Sequence, residues 1–139
     1  MRWEQLLLSR LPFHDVVVIH LGWNDLARKG RRWLLNAMRA DLMKVADRVK
    51  PAKVIRSEVV PRFKWRGAEV HTAVERSRCK LNFAMRKACN GMGWGFERHG
   101  LVTLKVPAYY EKDGVHLTGT GLAMFMLNIA DALEQAGCT

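Results

Sequence analysis

The sequence predicts an α/β fold, a parallel sheet with helices on both faces. Three observations carry that prediction. DVVVIHL, from Asp15 to Leu21, is a nearly continuous β-branched run with the composition of a strand covered on both sides. Long stretches elsewhere repeat their apolar residues at helical spacing. The two kinds of stretch alternate as βαβαβα, which right-handed crossovers wind into one parallel sheet.

Trp3, Leu6, Leu7 and Leu11 recur at helical spacing, so a short opening helix is expected to end before Pro12. The Asp15 to Leu21 strand follows, then a loop from Gly22 to Gly30. Leu34, Met38, Leu42, Val45 and Val49 mark one face of a helix that stops before Pro51. A second strand is expected from Lys53 to Val60, ended by Pro61. Val74, Leu81, Ala84, Met85 and Ala88 then share a face of a helix running to about Asn90. A weaker third strand is expected within Gly93 to Leu104. Leu122, Phe125, Met126, Ile129 and Leu133 define a final helix with Gly137 as its stop.

The 139 residues, 49% of them hydrophobic, suffice for one domain with a real core, and neither linker nor repeat interrupts them. Arg2, Glu4 and Arg10 break up Met1 to Leu11, leaving neither a signal-peptide core nor a membrane span. A cytosolic or nuclear location is the default expectation. Cys79, Cys89 and Cys138 are odd in number and form no CxxC pair, which argues for reduced thiols rather than a disulfide framework or zinc knuckle. The net charge of +10 favours phosphate-rich partners. Arg28, Lys29, Arg31 and Arg32 concentrate part of it, as a nucleic-acid contact or as a solvated loop and first helical turn. No aromatic ladder accompanies this run, so a dedicated single-strand platform is not expected from it.

In such sheets ligands sit beyond the carboxyl ends of the strands. Two loops fall there: Gly22, Trp23, Asn24, Asp25 after the first strand, and Asp113, Gly114, Val115, His116 before the last helix. Taken singly, each has a bland explanation, a helix cap for Asn24 and Asp25 and a turn for Asp113 and Gly114. Their pairing one domain-length apart is more specific.

That pair, G-x-N-D behind a buried strand and D-G-V-H-L-T opening the terminal helix, resembles the third and fifth sequence blocks of the SGNH (GDSL-type) hydrolase family. The resemblance covers most of the chain and implies a three-layer α/β/α, flavodoxin-like sheet. It also implies roles. His116 would be the general base toward a serine attacking an ester or acetyl carbonyl, Asp113 would hold its imidazole, and Asn24 would donate to the developing oxyanion. Gly22, Trp23 and Asp25 would line the substrate side of the same loop. No cofactor is implied; the partner would be a small ester.

The family's G-D-S block, which supplies the serine, and its second oxyanion glycine come before this strand and are not visible. Only Ser9 precedes DVVVIHL, inside the expected opening helix. Ser57, within a strand, and Ser77, within a helix, lack a nucleophile elbow. The resemblance therefore implies a single domain over 1–139 that is incomplete at its amino end, missing its first strand or strands. Losing a triad nucleophile costs on the order of a million-fold in turnover. The expectation is an esterase-like domain with little or no activity as this chain. The alternatives are an esterase using an unrecognised serine and a retroelement-derived nucleic-acid-binding module. The runs HLGWNDL, SEVVPRFKWRGAE and EKDGVHLTGTG resemble esterase-like domains of vertebrate retroelement reading frames, where glycine usually stands at the position of Trp23.

A missing neighbour would leave the Asp15 to Leu21 strand with an open edge, and open edges pair with other chains, so a homodimer or aggregation is expected. His71 and Glu75, four apart on a helix, could share a metal or simply make side-chain contacts; no metal is assigned. His20 is expected to pack near the site and His99 to lie in a loop. Phe63 and Trp65, beside Arg62, Lys64 and Arg66, are either a ligand-facing surface or core anchors among solvated charges.

Overall fold

Strand β1 (Val16–His20) pairs in parallel with β2 (Lys53–Ser57), which pairs in parallel with β3 (Gly95–Glu97). This is a computed structural model, and it describes residues 16–20 and 26–137. The expected opening helix, Ser9, the Gly22 to Asp25 loop and Cys138 lie outside the described residues. The connections are α1 (Arg31–Arg48) and α2 (His71–Met92), and α3 (Gly119–Gln135) closes the chain after a 3₁₀ turn at Pro107–Tyr109. The order βαβαβα and the parallel sheet agree with the sequence expectation.

Successive strand residues point to opposite faces, and the register fixes which residues share one. Val17 sits opposite Val54 and Ile19 opposite Arg56. With Leu34, Met38, Leu42 and Val45 of α1 and Leu81, Met85 and Cys89 of α2, the residues Val17, Ile19 and Val54 form the hydrophobic core. Val18, His20, Ile55 and Ser57 therefore face the other way, toward α3, whose Phe125 meets His20 edge-on at 4.9 Å. The result is three layers: α1 and α2, the sheet, and α3.

β2 ends at Ser57, three residues short of the expected Val60. Side chains of α2 take the next backbone groups out of the ladder. Asn82 Oδ1 accepts from Val59 N–H at 2.9 Å, its Nδ2 donates to Val59 O at 2.8 Å, and Arg78 Nη1 donates to the same oxygen at 3.0 Å. The last sheet-like bond runs from Glu58 N–H to Glu97 O, so β3 is correspondingly short.

α3 starts at the cap residue Thr118, whose Oγ1 accepts from Gly121 N–H and donates to Ala108 O. At Gly121 the backbone passes Tyr109 so closely that a Cβ would stand 2.1 Å from its carbonyl oxygen. The helix ends where Gly137 takes φ +87°, the stop expected from sequence. α2 runs two residues past Asn90 and ends at Gly93, with φ +75°. No helix among the described residues is long and apolar enough to cross a membrane.

Candidate active site

The segment after β2 and the turn before α3 are tied together beyond the carboxyl ends of the strands. Phe63 N–H and Lys64 N–H both donate to Gly114 O, at 2.9 and 3.1 Å, and Tyr110 Oη donates to Pro61 O at 2.7 Å. Gly114 has φ +70°, and a Cβ there would approach Phe63 Cβ to 3.0 Å, so the turn needs a residue without a side chain. Tyr110 and Leu117 bridge across its base.

Within that turn Asp113 organises His116. Asp113 Oδ1 accepts from the backbone N–H of Val115 and of His116, at 2.9 and 3.0 Å, while Oδ2 lies 2.5 Å from His116 Nδ1. The hydrogen bond with His116 and the two backbone donors hold the Asp113 carboxyl down to about 2. Because Nδ1 is engaged, Nε2 is the nitrogen presented to solvent, on a side chain 77% exposed. Gly22, Trp23, Asn24 and Asp25 lie outside the described residues, so Asp113 and His116 are the site residues whose contact is seen.

The other residues near this end have structural engagements. Trp65 is core, 2% exposed, its Nε1 donating to Glu75 Oε1 at 2.9 Å. Phe63, half-exposed, packs edge-on against Tyr110. The Trp65 N–H donates to His71 Nδ1 and the Arg62 N–H to Glu75 Oε1, so His71 and Glu75 fasten the Arg62 to Trp65 segment to α2.

A buried polar cluster between the sheet and α3 was not read from the sequence. Ser57 Oγ lies 2.8 Å from His20 Nδ1 and 2.5 Å from His99 Nε2, and His99 stacks on Phe125 with centroids 4.3 Å apart. His99 Nδ1 and Asn128 Oδ1 are buried, and neither makes a hydrogen bond that meets ordinary geometry among the described residues, although Asn128 is near enough to bear on the charge of His99. One arrangement serves the shared hydroxyl: Ser57 O–H donates to His99 Nε2, and His20 Nδ1–H donates to Ser57 Oγ. Burial depresses both imidazoles, His20 to about 3 and His99 to about 4, so both are neutral at pH 7. On the opposite face, buried Arg56 donates to Ile19 O and Ser57 O at 3.1 and 2.7 Å, tying the ends of β1 and β2 together. Strand alternation places His20 and Ser57 on one face once the register is known; that was the available signal.

Layer order and the parallel sheet define the class: this chain has the SGNH, or GDSL-like, hydrolase fold. Among solved structures it is similar to a GDSL-like lipase from Bacteroides thetaiotaomicron, at TM-score 0.73 and 22% identity over 88% of this chain and 63% of that one. It is similar to Est24, a carbohydrate acetylesterase from Sinorhizobium meliloti, at TM-score 0.72 and 20% identity over 95% and 65%. It is also similar to the esterase domain of the ORF1 protein from the zebrafish ZfL2-1 retrotransposon, at TM-score 0.64 and 22% identity over 84% and 66%. The chain thus spans less than two thirds of the length of these structures. No family model and no curated protein matches the sequence.

Proposed function

We propose that the chain is an SGNH-type esterase-like unit in which His116 is the general base, Asp113 its orienting carboxylate and Asn24 an oxyanion donor, with Gly22, Trp23 and Asp25 beside the substrate. The observation that carries this reading is the Asp113 to His116 contact on an exposed turn. The geometry suits a general base, because Asp113 fixes the tautomer and leaves Nε2 to take a proton from a nucleophile.

As this chain it hydrolyses esters weakly or not at all. Ser57, fully buried, already shares its hydroxyl with two imidazoles, and Ser77 on α2 has no imidazole hydrogen-bonded to it among the described residues. The test is hydrolysis of p-nitrophenyl acetate by the chain beside its His116→Ala and Asn24→Ala variants. Background rates in all three are expected. Turnover abolished by both substitutions would overturn the impaired reading in favour of an active esterase, and fluorophosphonate labelling would then identify its serine.

A second reading, a nucleic-acid-binding module in the cytosol or nucleus, is favoured by the exposed cations Arg28, Lys29, Arg31 and Arg32. Lys29 Nζ stands 4.8 Å over the exposed Trp33 ring. Homodimerisation through β1 is proposed on the ground that β2 is its one strand partner among the described residues. A monomer in sedimentation equilibrium would refute it.

A further inference from the structure

The charge of the chain is divided between its layers. α1 and α2 together carry ten Lys and Arg against Asp41, Asp47 and Glu75, a net +7 out of +10 for the whole sequence. α3, on the opposite side of the sheet, carries Asp131 and Glu134 and no Lys or Arg. Two of the three acids of the paired helices engage groups outside the ridges: Glu75 meets Arg78 and Trp65, and Asp47 meets Lys50.

The cations form ridges. Arg32 and Arg39 on α1 are separated by seven residues, and Arg76, Lys80, Phe83 and Lys87 on α2 follow i, i+4, i+7, i+11, so each set lies along one side of its helix. All six are exposed. Between the helices runs a groove of about 290 Å³ lined by Arg31, Arg32, Leu35, Lys80, Leu81 and Ala84. Phe83 stands 57% exposed among the cations, with Lys87 Nζ 5.3 Å and Arg86 Cζ 6.0 Å from its ring.

We propose that the outer face of α1 and α2 binds single-stranded nucleic acid, its phosphates following the Arg32, Arg39, Arg76, Lys80 and Lys87 ridges and a base stacking on Phe83. This deepens the second reading above by moving the interface from the Arg28 to Arg32 run to a two-helix face. From Arg76 to Lys87 the ridge is ~16 Å long at 1.5 Å per residue, and with Arg32 and Arg39 it offers five cations to the phosphates of one strand. An exposed ring among cations suits a single strand, whose bases are open to stacking, rather than a duplex, whose bases are enclosed.

The test is fluorescence anisotropy of a labelled 20-nucleotide oligo-dT with the intact chain, from low to physiological salt. Expected are a log–log salt slope of about −3 to −4, for roughly five phosphates on a single strand, and a tenfold or greater loss when Arg32, Arg39, Lys80 and Lys87 are changed to Glu. Phe83→Ala should weaken binding about five-fold or more with the slope unchanged. A control changing Lys53, Arg66, Lys105 and Lys112 to Glu carries the same charge change away from this face and should bind far better than the ridge variant; circular dichroism checks that each variant is folded. Absence of binding would overturn both the inference and the nucleic-acid reading. Binding lost only in an Arg28→Glu/Lys29→Glu variant would overturn the inference and leave that reading standing. Equal losses in control and ridge variants, equal affinity for a 20-base-pair duplex with Phe83→Ala silent, or capture by anionic phosphatidylserine vesicles that oligo-dT fails to compete, would each overturn the inference.

Discussion

Ser57 and His99 meet 2.5 Å apart, hydroxyl to Nε2, across 42 residues of sequence, and that contact fastens the carboxyl end of β2 to the loop following β3. Its partners are neutral imidazoles, which makes the cluster sensitive to acid.

His99 titrates at about 4 when folded, against ~6.5 when exposed, because burial disfavours its charge; His20, where burial is joined by the field of nearby Arg56, is lower still, at about 3. The unfolded chain therefore binds more protons below pH 6.5. The stability these neutral imidazoles preserve is fully present above that pH and falls as pH drops toward 4. For His99 alone the loss is roughly 3 kcal/mol at full extent. Urea midpoints between pH 7.5 and 4 should decline, and a His99→Gln variant should flatten the decline.

Ser57→Ala leaves two imidazole nitrogens without their shared hydroxyl. A loss of about 1–3 kcal/mol is expected from such orphaned groups, measured as a fall in the denaturation midpoint at pH 7.5. An unchanged midpoint would dismiss the assigned network.

Asn82→Leu keeps the branched side-chain shape but strips Val59 of both its bonds to the Asn82 amide. The expected cost is about 1–3 kcal/mol. Amide exchange should localise the loosening to residues following β2.

Gly114→Ala places a Cβ on a left-handed residue and against Phe63. The conformational term is about 1–2 kcal/mol, and the nuclear magnetic resonance signals of the His116 ring should shift as the turn is displaced. Unshifted signals would mean that the turn tolerates the side chain.

Asp113 stays ionised to about pH 2, so its hold on His116 contributes above the ordinary carboxylate range and is lost only as pH falls through that value. The Asp113 carboxyl carbon shift should titrate near 2 in the parent chain and move upward in His116→Ala.

Local patterns were legible and long-range ones were not. The β-branched run of β1 and the apolar stripes of α1, α2 and α3 announced themselves because each is a periodicity within one element. Asp113 and His116 touch at a separation of three, so their turn could be read. Ser57, by contrast, meets His20 and His99 at separations of 37 and 42, and nothing beside it in the chain marks that role. The end of β2 was misplaced for the same reason, since Asn82 competes for Val59 from 23 residues away. Trp65 and Phe63, ambiguous in sequence, proved to be a core residue and a packing residue of the turn.

α2 presents two working sides. Its inner residues Glu75, Arg78 and Asn82 grip the chain from Val59 to Trp65, which in turn holds the Gly114 turn. Its outer side bears Arg76, Lys80, Phe83 and Lys87. One helix thus serves both a surface and the segment that braces the turn carrying His116.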